Sequence, residues 1–338
     1  MEAVLIDTWF RGAEGIAIHD EASISVAREE VRSKAARIGL TLEVGAAMAT
    51  ATSELAYNQL RHAHDGQILV TEIARDGVAG IEVVAADRGA GIADAERALR
   101  GAGSSSGGLG VGLAGVRELA DEVDFDVRLG EGTCVWARKF AKRLWRRREI
   151  GVLGRAHAEE RVSGDHAAFV RLGDSIAVAV ADGLGHGPLA REASSVAIAR
   201  FVAHADRAAD EIFEVCHSSL KQTRGAVMAV AHVAEPEGTT SIASVGDVSP
   251  YVCGPGVSQR FGGASFVLGS PGSLRPARAD RVTLTPRDAL LLYTDGITSR
   301  ATLDRRLALL REHPIVIAQT LVKDFGRDND DVLVLALR

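Results

Sequence analysis

After Asp20, apolar residues recur at helical spacing (Ile24, Ala27, Val31, Ala35, Ile38) and Gly39 stops the run, which predicts a helix capped by Asp20. Thr41 opens a second helix whose Val44, Met48, Ala51 and Leu55 form its apolar stripe and whose Glu54 and Asn58 stand one turn apart on a shared face. Strands are predicted over Gln67–Ala74 and Gly80–Ala86, on either side of the hairpin signal Asp76-Gly77, with Asp87 at the end of the second. Beyond a glycine-rich stretch, Leu113, Val116, Leu119 and Val123 predict a helix, and Phe125–Leu129 and Thr133–Phe140 predict two more strands around Gly130 and Gly132. This half reads as a layered α/β sandwich. The remainder alternates differently. Strands are expected at His166–Leu172, Ser175–Ala181, Ala226–Val233, Thr239–Val245, Ala289–Tyr293 and Val332–Leu337, with helices near Leu189–Val202 and from about Asp304 to Phe325, a pattern of sheets flanked by helices. The fold class is therefore α+β in two domains.

Length agrees, since 338 residues suffice for two cores. A net charge of −6 with 25% charged and 46% hydrophobic residues fits an ordinary globular chain and argues against a nucleic-acid binder. No apolar run approaches the ~18 residues of a spanning helix, and the first ten residues lack the basic-then-apolar order of a secretory signal, so a cytoplasmic location is expected. Cys134, Cys216 and Cys253 form no CxxC pair, which argues against a disulfide framework or a zinc site. Seven of the eleven residues from Arg138 to Arg148 are Arg or Lys, the sharpest composition shift in the chain. The division expected is residues 1–140, a basic linker at 141–150 read as a solvated connector helix, and residues 151–338.

Gly107, Gly108, Gly110 and Gly112 precede a predicted helix, where bare backbone amides and the helix N-terminus can receive a phosphate. The loop lacks the Lys-Ser/Thr ending of a Walker motif. The GxGxxG at Gly110, Gly112 and Gly115 lacks the preceding strand that a dinucleotide fold requires. By itself this is equally a glycine loop without a ligand. It stands, however, in an ordered set: Glu54-Leu55-Ala56-Tyr57-Asn58, Asp87-Arg88-Gly89-Ala90-Gly91-Ile92, Gly108-Leu109-Gly110-Val111-Gly112-Leu113, and Gly132-Thr133. From about Gly15 to Phe140 this set resembles the GHKL ATPases, specifically the RsbT-like serine/threonine switch kinases that phosphorylate STAS-domain proteins. The resemblance implies ATP bound with Mg²⁺. Asp87 would accept the adenine amino group, Gly89 and Gly91 would let the backbone close on the nucleotide, Asn58 would hold Mg²⁺ and Glu54 would act as base. Gly108, Gly110, Gly112 and Thr133 would complete the nucleotide site, with residues 94–106 as a lid. No phosphoacceptor His on a dimerisation helix precedes the Glu54 helix, which separates the chain from histidine kinases. Anti-sigma factors share the fold and remain an alternative use.

Asp165, Asp182, Asp295 and Asp328 each flank a predicted strand, so their carboxylates can converge at one end of a sheet and offer oxygen ligands to hard divalent cations. Singly, such Asp-Gly and Gly-Asp pairs are ordinary turns. Together, Ser163-Gly164-Asp165, Ala181-Asp182-Gly183-Leu184-Gly185-His186-Gly187, Val245-Gly246-Asp247, Tyr293-Thr294-Asp295-Gly296 and Asp328-Asn329 resemble the PPM-type SpoIIE/RsbX phosphatases over about Gly151 to Arg338. That similarity implies two Mn²⁺ or Mg²⁺ ions. Asp182 would bridge them as the central catalytic residue, the Gly183 carbonyl would add a ligand, and Asp165, Asp295 and Asp328 would complete the shells. Water would attack phosphoserine or phosphothreonine in line, without a phosphoenzyme. His186 would steer phosphate, protonate the leaving group, or serve the loop structurally. Two departures stand out: Asp331 occupies a place usually held by Thr or Ser, which leaves Asp330 and Asp331 as alternative last ligands, and Asp247 replaces a common Asn.

The two resemblances imply a bifunctional regulator that phosphorylates and dephosphorylates a STAS-domain partner, with a sigma-factor pathway downstream. The alternatives are a phosphatase whose ATPase-like half only binds nucleotide or a partner, and an anti-sigma binding module.

Overall fold

A computed structural model describes residues 15–101, 112–272, 277–303 and 306–338. The chain divides into two compact units, Met1–Glu149 and Ile150–Arg338.

The first unit runs β1 (Ile16–Ile18), α1 (Glu21–Arg37), α2 (Leu42–His62), β2 (Ala63–Arg75), β3 (Val78–Gly89), α3 (Ala95–Leu99), α4 (Gly112–Leu119), β4 (Glu122–Leu129) and β5 (Gly132–Phe140). Its antiparallel strands lie in the order β1-β2-β3-β5-β4. Asp20 caps α1 as expected, its carboxylate accepting the Ser23 amide at 2.8 Å, while Ser23 Oγ in turn accepts the Asp20 amide at 3.1 Å. Ile24, Ala27, Val31 and Ala35 of α1, with Val44, Met48, Ala51 and Leu55 of α2, are buried against Ile81, Val83 and Ala85 of β3, so the two helices cover one face of the sheet. Asp76 and Gly77 both have positive φ, 51° and 71°, the hairpin geometry that their pairing predicts. The other face of the sheet carries ion pairs: Arg138 meets Glu82 at 2.5 Å and Asp124 at 2.6 Å, Arg128 meets Asp126 at 2.6 Å, and Arg75 meets Glu122.

Two expectations for this unit are corrected. Val123 belongs to β4, not to the preceding helix: Val123, Phe125 and Val127 alternate with Glu122, Asp124 and Asp126, and this period of two overrides the coincidental four-residue step from Leu119. The basic segment is not a helix. Residues 143–149 are irregular, because Arg75 donates to the Trp145 carbonyl at 3.0 Å, the Trp145 indole donates to Asp76 at 3.2 Å, and Arg146 pairs with Glu149 at 2.9 Å. These contacts occupy groups that a helix would need.

The second unit contains β6 (Ile150–Arg155), β7 (Asp165–Leu172), β8 (Ser175–Gly183), α5 (Pro188–Ala203), α6 (Ala209–Ser219), β9 (Ala226–Ala234), β10 (Thr239–Val245), β11 (Ser249–Gly254), β12 (Val257–Arg260), β13 (Asp280–Thr283), β14 (Ala289–Tyr293), α7 (Pro314–Phe325) and β15 (Val332–Leu337). Two antiparallel sheets form, β6-β15-β14-β11-β12 and β13-β10-β9-β8-β7, with β15 against β7 and β14 against β8. Helix α5 packs on β7 and β8, and α7 packs on β6 and β15. Strand residues Ile176 to Ala181 have no exposed surface, as expected for a layer covered on both sides. Helix α7 begins later than its apolar pattern predicted, because His313 accepts the Ile315 amide at 3.2 Å and Pro314 takes the first helical position, both of which set a start. Among the described residues no helix is long and apolar enough to cross a membrane. The mixed α+β class in two regions stands.

Candidate active sites

In the first unit, α2 and the end of β3 bring the predicted residues together. Glu54 lies on α2, and its Oε2 accepts the Gly112 amide at the start of α4 at 3.1 Å. Asn58 follows one turn later on the same helix. Gln59, which sequence reasoning passed over, bolts this helix to the sheet: its Nε2 donates to the carbonyls of Gln67 at 3.1 Å and Ala86 at 3.0 Å. Asp87 follows Ala86, and its Oδ1 accepts the Thr133 amide at 3.2 Å. A Cβ on Gly132 would stand 2.0 Å from the Asp87 carbonyl oxygen, so the close approach of β5 to β3 requires glycine there. Gly91, at φ +74°, would bring a Cβ within 3.0 Å of the Arg128 carbonyl. Gly89 faces Ala63 and the His62 carbonyl in the same way, so both glycines of the Asp87 motif permit close backbone packing as well as any ligand approach. Gly108, Gly110 and the second part of the expected lid, residues 102–106, lie outside the described residues.

Burial raises the Asp87 carboxyl to about 7, with the Thr133 amide opposing the rise. Between about pH 4 and 7 the folded chain keeps a proton on Asp87 that the unfolded chain has lost. The stability contribution is therefore full below pH 4 and lost as pH rises through 7. Asp87→Asn should abolish this dependence, gaining at most about 4 kcal/mol over wild type at pH 8 and nothing at pH 4. Thermal melts at both pH values check it; equal differences at the two would show that Asp87 is not the buried titrating group.

In the second unit, Asp165 begins β7 and Asp182 lies near the end of β8, directly opposite each other in the strand register. Thr294 Oγ1 donates to Asp165 at 2.7 Å and accepts the Leu333 amide at 3.0 Å, which joins the two sheets at this point. Asp295 follows β14. Burial first, and then the neighbouring Asp331 and Asp295, push the Asp165 carboxyl well above its ordinary range. Burial, and then Asp165, Asp295, Asp247 and Asp330, push Asp182 up to about 10. Asp295 is raised by burial and by Asp330. Gly183 is required because a Cβ there would stand 1.9 Å from the Ala190 carbonyl of α5.

Asp328 is not part of this gathering. Its side chain is 98% exposed and pairs with Arg155 at 3.3 Å. Asp330 is the residue of this segment whose charge acts on Asp165, Asp182 and Asp295. Asp331 is a strut: buried, it accepts the His157 amide at 2.7 Å and the Gly164 amide at 2.8 Å. His186 is held on its loop by Glu160 at 2.8 Å and stacks on His157, ring centroids 4.8 Å apart.

The donor set, carboxylates with the Gly183 carbonyl, suits a hard divalent cation, and buried carboxylates that force protons onto one another are in the condition such a cation relieves. Among the described residues no three acidic, His or Cys side chains stand close enough to surround one ion. The residues fit the group in chemistry and lie at one end of the sheet without closing around an ion.

Comparison with known proteins follows the same division. Residues 19–139 match the histidine kinase-like ATPase domain family. The serine/threonine-protein kinase RsbT of Bacillus subtilis (strain 168) is 38% identical over 127 residues, 38% of this chain and 96% of RsbT. The chain belongs to the RsbT kinase family. C-terminal to this RsbT-type region, residues 173–338 match the stage II sporulation protein E (SpoIIE) family. A solved chain from the bacterial stressosome, a modular system adapted to control secondary messenger signalling, is 30% identical, covering 56% of this chain and 99% of that one at TM-score 0.53. RsbX in complex with magnesium, 23% identical, shares the fold over 58% of this chain and 96% of its own at TM-score 0.50. The RsbT-type chain thus joins a serine/threonine-kinase-like region to a C-terminal region similar to SpoIIE and RsbX.

Proposed function

We propose that the chain sets the phosphorylation state of a STAS-domain protein from both directions: residues 1–140 transfer phosphate from ATP to its serine or threonine, and residues 151–338 remove it. The observation that carries this reading is the presence of both residue sets in one chain, Glu54, Asn58 and Asp87 around one fold and Asp165 opposite Asp182 in the other.

In the kinase half, the Asp87 carboxylate would accept the adenine amino group, the backbone around Gly112 and Thr133 would line the nucleotide, Asn58 would hold Mg²⁺, and Glu54 would orient the attacking hydroxyl. In the phosphatase half, Asp182, Asp165, Asp295, Asp330 and the Gly183 carbonyl would hold two Mn²⁺ or Mg²⁺ ions. When bound, these ions supply Lewis acidity and neutralise charge at the phosphate. Thr294 fixes the Asp165 carboxylate by its hydrogen bond, and Asp331 fixes the backbone of the adjoining loop.

Two assays test this reading. Purified chain with a STAS protein and γ-labelled ATP should transfer label to a serine or threonine, and Asp87→Asn should weaken ATP binding at least tenfold by calorimetry. Removal of the labelled ATP and addition of Mn²⁺ should then release the label from the STAS protein as inorganic phosphate. Hydrolysis of a labelled STAS protein without any transfer to it would instead favour a phosphatase with a nucleotide-binding regulatory half.

A further inference from the structure

Arg224 has no part in the sites above. It stands two residues before the start of β9, whose Ala226 lies opposite Gly183 in β8, so it occupies the same end of the sheet as Asp182. The Leu184 amide donates to the Gly225 carbonyl at 3.0 Å, which stitches the Arg224 segment to the 183–187 loop that leaves Asp182. The guanidinium lies across that loop. A Cβ on Gly185 would fall 2.9 Å from its Nη1, and Gly185 has φ +84°, so glycine both permits the turn and clears the space that the arginine fills.

On its other side the loop rests against an anion: a Cβ on Gly187 would meet the Glu160 carboxylate at 2.6 Å, and Glu160 also holds His186. Three other arginines of this unit are engaged. Arg155 pairs with Asp328, Arg171 with Glu235, and Arg191 donates to the Asp165 carbonyl. Arg224 is exposed, and among the described residues no carboxylate pairs with it. An arginine fixed at the mouth of an acidic site, without an internal partner, has its donor fork available to an anion from solution. A guanidinium matches the oxygen geometry of a phosphate through two parallel hydrogen bonds.

We propose that Arg224 binds the phosphate of the phosphoserine or phosphothreonine substrate and holds it at the Asp182 end of the sheet. The inference rests on the phosphatase reading above. It also accounts for glycine at 185, where any side chain would displace the guanidinium.

The test uses the full chain with Mn²⁺ and a phosphoseryl peptide. Arg224→Ala should raise KM at least tenfold with a smaller effect on kcat, and should weaken the binding of inorganic phosphate, measured by calorimetry, by a similar factor. Arg224→Lys should recover part of both. Lys221→Ala, which removes a charge from the same exposed segment, should change neither, and none of the three should lower the melting temperature noticeably. Unchanged KM and phosphate affinity in Arg224→Ala, against an active wild type, overturns the proposal and leaves the phosphatase reading intact. So does an equal loss in Lys221→Ala, or a loss that Arg224→Lys does not recover. An inactive wild type overturns both.

Discussion

Asp182→Asn is expected to lower metal-dependent phosphate release by about a hundredfold or more, while leaving ATP-dependent transfer by the first half unchanged. Asp182 faces Asp165 across β7 and β8, and the charges of Asp165, Asp295, Asp247 and Asp330 act on it. Neutralising it would remove a carboxylate that two divalent cations would need as an oxygen ligand. The companion changes sharpen the result. Asp330→Asn should cost a large part of the activity. Asp328→Asn, at an exposed ion pair, should cost little. Asp331→Asn should act on stability instead, since it replaces a buried carboxylate that serves two backbone amides. Rates against p-nitrophenyl phosphate with and without Mn²⁺, together with melting temperatures, separate these outcomes. Full activity in Asp182→Asn, or turnover without metal, would sink the two-metal mechanism, and severe loss in Asp328→Asn with Asp330→Asn near normal would restore the earlier register.

The second large effect belongs to the kinase half. Glu54→Gln should keep ATP binding and lose roughly 10²–10⁴-fold in transfer, the range associated with removing a positioned base. The amide oxygen of glutamine can still accept the Gly112 amide, so the start of α4 keeps its partner and the change isolates the carboxylate's chemistry. Calorimetry with ATP and transfer assays on the same preparation check the split. Transfer at the wild-type rate would show that another group orients the hydroxyl.

The parts of the fold legible in the sequence were those where local pattern and tertiary burial agree. The stripes of α1 and α2 face the core as their spacing predicts, and Asp76-Gly77 turns the hairpin. Helix α6 carried a readable stripe in Ile212, Phe213 and Cys216, but Ala208 at its start makes no side-chain cap, and the signal that marks a helix beginning was missing. Strands β12 and β13 expose most of their residues and show little alternation to read. For the site, Glu54, Asn58 and Asp87 could be picked out because the ordered motifs that hold them resemble one family, and Asp165 and Asp182 because each lies at the end of a strand beside a glycine. Asp330 could not be separated from Asp328, because both lie in one acidic run, and only the folded chain shows Asp328 exposed on Arg155 while the charge of Asp330 acts on Asp182 and Asp295. Gln59 and Arg224 carried no motif at all; their roles come from what folds against them.

The Asp331 strut gives the two halves different schedules. The pairings β1-β2, β2-β3, β3-β5 and β5-β4 lie wholly within residues up to Phe140, whereas the amides of His157 and Gly164 wait for a carboxylate supplied only as the last strand is made. During synthesis from the N-terminus, the transferring half can assume its fold while the removing half still lacks a closing piece. A chain interrupted before residue 331 would leave the buried Gly164 amide and the part-buried His157 amide without their acceptor, so truncation near the C-terminus should destabilise the second unit and leave the first folded, which separate melting transitions would show.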